Sequence, residues 1–329
     1  MVTYLALLVG VAEVRPLPRY GGSVARWWYA LKPASWPKLL VPAALGQALG
    51  VASTGTVSLA GLALGALFTL FDLIFIVLLN DWGDREVDAI KRRMFPEGCS
   101  PKTIPDGILP ASWLLAAGVG AGVLAWLVAI AGSVVLGLPV LALLGLGALL
   151  VFVAYSFPPL ALNYRGGGEI LEMVGVGLVL PWINALFQSG ELLLPAPTVL
   201  VSFALLSLAS AIASGLSDEE SDRAGGKHTF TTAFGNPAMR RAVEALTLLG
   251  AMGFGLSAAT DRGLIPPWGA LAAILVMGGN FFTLRRVSDE AVTNAFRAQG
   301  TYKRSLHRAI WGGATVLGLS AVAKRFLET

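Results

Sequence analysis

Charged residues are scarce in this sequence. Asp, Glu, Lys and Arg account for 13% of its 329 residues, against about a quarter in an average soluble domain. Hydrophobic residues account for 55%, and the mean hydropathy is +0.71. These values exclude soluble globular, disordered and nucleic-acid-binding proteins, and they indicate an integral membrane protein.

Cysteine is almost absent as well. The single cysteine, Cys99, cannot form an internal disulfide, and alone it cannot hold a zinc ion or an iron–sulfur cluster. Any metal site in this chain is therefore expected to use oxygen ligands.

Long apolar stretches predict the membrane spans. A helix needs about 20 mostly apolar residues to cross the hydrocarbon core, and residues 107–164 contain no Asp, Glu, Lys or Arg. That stretch has room for two helices. The same criterion predicts an all-α bundle of nine transmembrane helices, at Leu39–Ala52, Leu59–Asn80, Trp113–Gly132, Val134–Tyr155, Ile170–Gln188, Pro197–Leu216, Ala242–Ala259, Leu264–Leu284 and Ala309–Ala323.

The basic residues predict which side of the membrane each loop faces. If the nine helices alternate in direction, 21 of the 24 Lys and Arg residues fall on one side. Cytoplasmic loops carry an excess of Lys and Arg, so this side is expected to be the cytoplasmic face of a bacterial inner membrane. Residues 1–329 are expected to form a single domain, with residues 1–31 as an N-terminal segment at the membrane interface.

Three carboxylates are aligned at the end of the second predicted span. Asp81, Asp84 and Asp88 lie at i, i+3 and i+7, and Asn80 precedes Asp84 by four residues, so a continuous helix would place them on one face. Like charges at this spacing destabilise a helix, and the group therefore predicts a bound cation. Oxygen ligands in small number suit Mg²⁺, which typically takes one or two carboxylates together with water and substrate phosphates.

A second acidic cluster ends the sixth predicted span, with Asp218 and Asp222 at i and i+4. Because spans two and six run in the same direction, both clusters face the cytoplasmic side. Two acidic helix ends that bind Mg²⁺ and face each other suit a diphosphate leaving group, whose developing charge is neutralised by metal and nearby Lys or Arg. The alternative interpretation is a pair of solvated helix ends at the lipid headgroups.

Three ordered segments carry a resemblance to a known family. They are the pattern from Asn80 to Asp88, the pair Asp218 and Asp222, and the segment from Tyr155 to Leu160 that continues through Arg165 to Glu169. The first two resemble the aspartate-rich motifs of the UbiA superfamily of intramembrane prenyltransferases, and the third is similar to its tyrosine and glycine–glutamate connector. Residues 222–229 look closest to the quinone-pathway, naphthoate-prenylating branch.

The resemblance implies a helical bundle with cytoplasmic-side active-site loops and a lipid-open cavity. A polyprenyl diphosphate would bind through Mg²⁺ between the two motifs, with Asn80 at the diphosphate, and its prenyl chain would pass to an aromatic, quinone-precursor-like acceptor. Tyr155 is implied as a catalytic residue. Arg165 is expected to replace a connector lysine that many members have and this sequence lacks. The implied metal ligands are Asp81, Asp84, Asp88, Asp218 and Asp222.

Other cations near the motifs have two interpretations, phosphate binding and membrane anchoring. Lys38 opens the first predicted span, and it either contacts the diphosphate or extends to the interface. The basic run 91–93 directly follows the first motif and is expected to anchor at lipid headgroups. Three further cations lie near turns and motif ends and are expected to reach the diphosphate: Lys102, Arg223 and Lys227.

Two groups inside the spans are candidates for acceptor chemistry. Asp72 lies eight residues before Asn80, about 12 Å deeper at 1.5 Å per residue, where an acid is costly and indicates a function or an internal partner. It is expected to accept a proton or orient the acceptor, with a hydrogen bond to a neighbouring helix as the alternative. In the fifth span, Trp182, Asn184 and Gln188 are expected to line an acceptor pocket, although interface anchoring also explains the tryptophan.

The sequence therefore predicts a Mg²⁺-dependent prenyltransferase that works within the membrane. Its expected partners are a polyprenyl diphosphate, a hydrophobic aromatic acceptor and the lipid bilayer, and nucleic acid is not among them. A UbiA-type terpene cyclase, which acts without an acceptor, stays open. An ion-coupled transporter is the alternative from another class, but transporters usually bind their ions near the bilayer midplane.

Overall fold

The chain folds almost entirely into α-helices. The computed structural model describes residues 22–97, 100–192, 194–261 and 263–328, and these ranges contain no β-strand. Long uncharged runs favour helices because a helix satisfies its own backbone hydrogen bonds, which an apolar environment requires.

The N-terminal half comprises α1 (Ser23–Leu31), α2 (Pro37–Thr54), α3 (Leu59–Gly83), α4 (Arg85–Met94), α5 (Ala111–Val135), α6 (Val140–Ser156) and the short α7 (Leu162–Arg165). A continuous rod follows, composed of α8 (Gly168–Val174), a π-helical turn (Gly175–Val179) and α9 (Leu180–Ser189). The C-terminal half comprises α10 (Pro197–Gly215), α11 (Glu219–Ala224), α12 (Phe230–Phe234), α13 (Asn236–Thr260), α14 (Pro267–Ser288) and α15 (Phe296–Leu327).

Each predicted span overlaps one of these helices or the α8–α9 rod, although Val134 and Val135, predicted to begin the fourth span, belong to α5. By length and composition, six helical segments of the described ranges are able to span a membrane: α3, α5, the rod, α10, α13 and α14. α6 is apolar but shorter, with 17 residues. Nine membrane crossings therefore remain a prediction. Residues 1–21 of the expected interfacial segment lie outside the described residues, and most of its remainder forms α1.

Small residues bring the N-terminal helices against the α8–α9 rod. A Cβ atom at Gly46 of α2 would overlap the carbonyl oxygen of Pro181, and one at Gly61 of α3 would overlap the carbonyl oxygen of Phe187. Without side chains at these two positions the helix backbones approach closely, as in other helical membrane proteins. α2 and α3 consequently pack tightly against α9.

Two hydrophobic clusters organise the bundle. One joins α2 to α10, α13, α14 and α15, through residues such as Leu49, Phe203 and Tyr302. The other joins α2 to α3, α5, α6 and α9, through residues such as Phe68 and Phe187.

The polar cap of α10 fixes this helix at the end remote from the site. Asp261, which follows α13, is 2% exposed, and its two carboxylate oxygens accept hydrogen bonds from the backbone N–H groups of Thr198 and Val199, each at 3.0 Å. This contact satisfies donors that a helix start leaves unpaired. It joins α10 to α13 and so holds the helix whose other end leads into Asp218.

Candidate active site

Two adjoining cavities lie at the ends of α3 and α10 that carry the acidic clusters. The larger has a volume of about 330 Å³ and the smaller of about 180 Å³. Six polar residues line both cavities and define a junction between them: Lys32, Asn80, Asp84, Asp218, Asp222 and Lys227. The two clusters that the sequence analysis expected to face each other therefore meet at the junction.

The two cavities differ in chemistry. Apart from the junction, the smaller is lined by one apolar residue, Val87, and by the polar residues Asp81, Asp88, Lys91, Ser100, Lys102 and Ser221. The larger extends along α3 from Asn80 to Asp72, between apolar side chains of α3, α6 and the rod: Ile76, Val77, Val151, Phe152, Val176 and Leu180. The pair of cavities suits a molecule with an anionic head and an apolar body.

The first acidic motif does not form one continuous helix. α3 ends at Gly83 and α4 begins at Arg85, so Asp84 lies at the break. The hydrogen-bond pattern nevertheless continues across the break, since the Asp84 N–H donates to the carbonyl oxygen of Asn80 at 2.9 Å and the Asp88 N–H donates to that of Asp84 at 2.8 Å. The predicted helical spacing is therefore kept, and Asp84 comes to lie between the two cavities.

Lysine side chains compensate these carboxylates. Lys227 Nζ lies 3.1 Å from Asp84 Oδ2. Three further ion pairs repeat the arrangement: Lys32 with Asp81, Lys91 with Asp218, and Lys102 with Asp88. An opposite charge at this distance favours the ionised carboxylate and offsets repulsion between the acids.

The junction supplies part of a coordination shell that suits Mg²⁺. Within the described residues, no three Asp, Glu, His or Cys side chains converge as a metal site. Mg²⁺ commonly needs only one or two carboxylates, because it keeps water or phosphate oxygens as its other ligands. The oxygen donors at the junction, from Asn80, Asp84, Asp218 and Asp222, are of the type it prefers.

Asp84 has the densest set of polar partners at the junction. Besides Lys227, it accepts hydrogen bonds from the Tyr164 hydroxyl at 3.0 Å and from the Asn163 side-chain amide at 3.4 Å. Burial alone would lower the pKa of Lys227, yet the carboxylates of Asp84 and Asp222 outweigh it and raise that pKa. Burial, and then Asp84, also raise the pKa of the Tyr164 hydroxyl. The carboxylates of Asp84 and Asp222 thus hold Lys227 as a cation.

Asp222 is the junction carboxylate without a direct partner. It is 5% exposed, and its side chain makes no hydrogen bond or ion pair with another described residue. Burial raises its pKa to about 6, against the opposing attraction of Lys227. Burial raises the pKa of Asp88 as well, although Lys102 opposes it. Asp222 thus faces the junction with its ligand capacity unused.

The larger cavity receives several other predicted residues. Lys38 lines it and lies 2.6 Å from Glu172 Oε1 on the rod, so its side chain is directed into the protein and not only to the interface. Tyr155 lines it too and stacks on Phe152, with ring centres 6.0 Å apart. In the same wall, Glu169 accepts a hydrogen bond from the Phe230 N–H at 2.7 Å, which ties the connector to α12.

Two predicted cations lie away from the cavities. Arg165, the last residue of α7, has an exposed side chain and lines neither cavity, so it does not replace the missing connector cation here. Arg223 is 63% exposed in its side chain and pairs with Glu219, one turn back on α11. Because Asp222 points into the junction, the adjacent Arg223 points away. Lys227 lies at the junction instead.

The three residues predicted to line an acceptor pocket lie at helix contacts of the rod, and their part in acceptor binding stays a prediction. Asn184 is 1% exposed and hydrogen-bonds to Thr69 at 3.0 Å and to Gln47 at 3.1 Å, so it joins α9 to α3 and α2. Gln188, 3% exposed, lies against the α2–α3 connection, and the Trp182 ring N–H is directed at the Leu192 carbonyl. These polar groups serve helix packing, and none of the three lines a described cavity.

Four residues of the site were not predicted from the sequence, or were predicted in another role. Lys91 was expected at the lipid headgroups, but it is 3% exposed and pairs with Asp218. Lys32, which lies between α1 and α2, and Asn163 and Tyr164 of the connector were not singled out. The connector motif marked the segment of the last two, whereas the pairing of Lys32 and Lys91 depends on contacts between distant segments that no local pattern signals.

Comparison with known proteins agrees with this geometry. The model of the UbiA prenyltransferase family matches residues 39–306. The chain is 35% identical over 167 residues to the chloroplastic chlorophyll synthase of Oryza sativa subsp. japonica, a match that covers 48% of this chain and 40% of that protein. It is 31% identical over 159 residues to the Arabidopsis thaliana chlorophyll synthase, covering 48% and 39%. The matched stretch thus spans about two fifths of these curated relatives.

Solved structures share the fold. A UbiA homologue from Archaeoglobus fulgidus, bound to DMAPP and Mg²⁺, has a TM-score of 0.63 at 18% identity, and the match covers 89% of this chain and 100% of that chain. A UbiA homologue from Aeropyrum pernix K1 has a TM-score of 0.65 at 15% identity, covering 88% and 97%. The fold and the apolar helices together establish an integral, multi-pass membrane protein.

The buried Asp222 makes the stability of the fold depend on pH. Its pKa of about 6 is above the ordinary value of 3.8, so the folded state binds the proton more tightly, and the contribution of this group to stability falls as pH rises from about 4 to about 6. Asp222→Asn mimics the protonated form. We expect it to raise the unfolding temperature at about pH 7.5 and to change it little at about pH 4.

Thermal unfolding of the detergent-solubilised protein measures this effect. At about 1.4 kcal/mol per pKa unit, the substitution should raise the free energy of unfolding at about pH 7.5 by a few kcal/mol. Glu220→Gln on the exposed face of the same helix is the matched control and should shift neither midpoint. A destabilisation by Asp222→Asn at both pH values would contradict the conclusion that burial raises the pKa of Asp222.

Proposed function

We propose, from the premise that this chain belongs to the UbiA prenyltransferase family, that it transfers a prenyl chain from a polyprenyl diphosphate to an aromatic acceptor in a Mg²⁺-dependent reaction. The observation that carries the proposal is the junction, where a polar cavity lined by the four lysine–carboxylate pairs and Asp222 adjoins a larger, mostly apolar cavity. The diphosphate would lie in the first cavity and the prenyl chain would enter the second.

The metal has a defined place in this proposal. Asp84, Asp218 and Asp222, with Asn80, would hold Mg²⁺ together with oxygens of the diphosphate. When bound, the ion neutralises the charge that develops on pyrophosphate as the carbon–oxygen bond breaks. Homologous structures support the choice of ion, since those of the Archaeoglobus fulgidus homologue are bound to DMAPP and Mg²⁺ and to GPP and Mg²⁺.

The lysines would exchange one anionic partner for another. Lys32, Lys102 and Lys227 each hold a carboxylate in this structure. A diphosphate at the junction would let them donate to phosphate oxygens while those carboxylates turn to the metal. Fixed cations aimed at a leaving group stabilise its charge without reorganisation of solvent. The Tyr164 hydroxyl, 3.0 Å from Asp84, would keep that carboxylate oriented.

The apolar cavity would protect the cation left on the prenyl chain. Tyr155 and Phe152 stack in its wall, and aromatic faces attract cations. The surrounding valine and leucine side chains exclude water, which would otherwise capture the cation. The attacking atom of the acceptor forms the new bond to the prenyl carbon, and the acceptor then loses a proton.

Different observations bear on the identity of the acceptor and on the branch of the family. Residues 222–229 favour a quinone-pathway acceptor, whereas the curated relatives reported above are chlorophyll synthases. The quinone-pathway expectation implies an aromatic acceptor, and the apolar cavity with its aromatic wall suits such an acceptor. A terpene cyclase would use the same junction without an acceptor. A transporter is disfavoured because the carboxylates lie at helix ends and pair with lysines.

The membrane topology belongs to the same proposal. Nine crossings would place the junction, the connector and α11 on one side of the bilayer, where 21 of the 24 basic residues fall. The positive-inside tendency makes that side cytoplasmic. A cytoplasmic junction would meet diphosphates where soluble enzymes make them.

Product analysis tests the proposal directly. Purified protein is incubated with Mg²⁺ and geranyl, farnesyl or geranylgeranyl diphosphate, with and without pooled hydroxynaphthoate, hydroxybenzoate and quinolone acceptors. We expect a product whose mass is acceptor plus prenyl group and whose formation stops when EDTA removes the metal. A hydrocarbon or terpene alcohol formed equally without acceptor would instead identify a cyclase. Intact diphosphate in every sample would reject both enzymes.

Lys227 and Arg223 provide a matched pair of basic residues four positions apart. Lys227→Met removes a buried cation from the junction and should lower kcat/KM by about 100-fold, the usual cost of losing one donor to a developing anion. Arg223→Met removes an exposed cation from the same segment and should lower it by less than about threefold. Steady-state pyrophosphate release measures both values, and the unfolding temperature verifies that each variant folds.

Lys227→Arg keeps the charge and should recover part of the activity. Equal losses in Lys227→Met and Arg223→Met, or a larger loss in Arg223→Met, would place the diphosphate outside the junction.

A further inference from the structure

The deep end of the larger cavity carries an acid that the diphosphate site does not use. Asp72 lies on α3 eight residues before Asn80, about 12 Å along the helix axis at 1.5 Å per residue. It lines the cavity and is 5% exposed, and its Oδ1 atom has no hydrogen-bond partner among the described residues. The alternative of a hydrogen bond to a neighbouring helix therefore does not account for this oxygen.

Asp72 is located at the floor of the cavity. The lining residues of α3 run from Asn80 through Val77 and Ile76 to Asp72. One turn further, Phe68 is fully buried and packs on Phe187, with ring centres 5.9 Å apart. The aromatic pair lies below this end of α3, and the small exposed part of Asp72, a residue that lines the cavity, is the surface that a ligand at the deep end can reach.

A prenyl chain is a poor occupant for this floor. Its hydrocarbon end would cover the carboxyl oxygen without offering a hydrogen bond, and leaving a buried polar group unsatisfied costs about 1–3 kcal/mol. Apolar side chains at the middle of the cavity, such as Val77, Val151 and Val176, offer the chain a surface without that cost. The chain is better placed along these walls than on Asp72.

An acceptor with a hydrogen-bond donor is a better occupant. About 12 Å separate the levels of Asn80 and Asp72, which leaves room for the reacting prenyl carbon and an aromatic ring system between the diphosphate and the floor. A hydroxyl or N–H group at the far end of that ring system would meet the Asp72 carboxyl. A hydrogen bond from a ring hydroxyl also increases the electron density of the ring, which favours attack on an allylic cation.

We propose that Asp72 binds the acceptor, by accepting a hydrogen bond from a hydroxyl or N–H group at the end of the acceptor remote from the new bond. This inference rests on the proposed function and narrows it to aromatic acceptors that carry such a donor. The π-helical turn Gly175–Val179 agrees with it, since Gly175 and Val176 line the same cavity and π-helical turns are frequent at functional sites.

Chemical labelling of Asp72 distinguishes the two possible occupants. Dicyclohexylcarbodiimide reacts with carboxyl groups in apolar surroundings, and peptide mass spectrometry of the full-length protein measures the labelled fraction of Asp72. We expect labelling that persists with Mg²⁺ and a nonreactive geranyl thiolodiphosphate. We expect it to fall about fivefold or more when 1,4-dihydroxy-2-naphthoate, 4-hydroxybenzoate or a 4-quinolone is added, because a bound donor covers the carboxyl.

Protection by the thiolodiphosphate alone would put the prenyl chain on the floor and overturn the inference. Protection by none of the three acceptors, or no labelling of the free protein, would overturn it as well. Pyrophosphate release from geranyl diphosphate is measured in parallel on unlabelled protein. Its absence would reject the proposed function, whereas release combined with protection by the thiolodiphosphate would reject only the acceptor site.

Substitutions separate a hydrogen bond from simple packing. Asp72→Leu should raise the KM for the acceptor about tenfold or more while the KM for geranyl diphosphate changes less than about twofold. Asp72→Asn keeps an accepting oxygen and should remain within about threefold of the wild type in acceptor KM. Thr69→Val, which removes a buried hydroxyl one turn below on α3 but outside the cavity, is the matched control and should change neither KM.

An acceptor KM that is unchanged in Asp72→Leu would contradict the inference. So would a loss in Asp72→Asn as large as that in Asp72→Leu, since the amide oxygen can accept the same hydrogen bond.

Discussion

The pairing of buried or half-buried carboxylates with lysines is the interaction on which the site depends. Acids from α3, α4 and the segment around α11 share one end of an apolar cavity, where like charges repel and solvent does little to screen them. Lys32, Lys91, Lys102 and Lys227 come from four separate segments and each holds one acid. These pairs therefore join the segments as well as neutralising the acids, and among the described residues they leave Asp222 as the junction carboxylate without a direct partner.

The apolar bundle supplies the rigid frame for this polar end. Close backbone contacts at Gly46 and Gly61 fix α2 and α3 against the rod, and the Asp261 cap fixes the remote end of α10. α3 and α10 then deliver their acidic ends to one place. The larger cavity lies beside them, lined by apolar residues of α3, α6 and the rod. The proposed diphosphate chemistry at the junction, with hydrocarbon binding below it, is based on this division.

Much of the fold and of the junction could be predicted from the sequence. Uncharged runs located the long helices, and helical spacing with equal direction brought Asp84 and Asp222 together. Residues whose role depends on contacts between distant segments could not be predicted. Lys91 follows a motif in a basic run that reads equally as a membrane anchor, yet it turns inward to Asp218. Asn184 is of a residue type that often binds ligands, but its hydrogen bonds to Thr69 and Gln47 join α9 to α3 and α2. The sequence offers both Arg165 and Lys227 as cations near the diphosphate. Only the fold shows that Lys227 lies at the junction and Arg165 does not.

The most direct measurement of the central claim is a structure of the protein in lipid nanodiscs with Mg²⁺ and geranyl thiolodiphosphate. The account predicts diphosphate and metal density at the junction, in contact with Asp84, Asp222 and Lys227, with the geranyl chain in the larger cavity above Asp72. Density for the diphosphate at any other surface, or a smaller cavity that keeps all four lysine–carboxylate pairs with the ligand bound elsewhere, would contradict it.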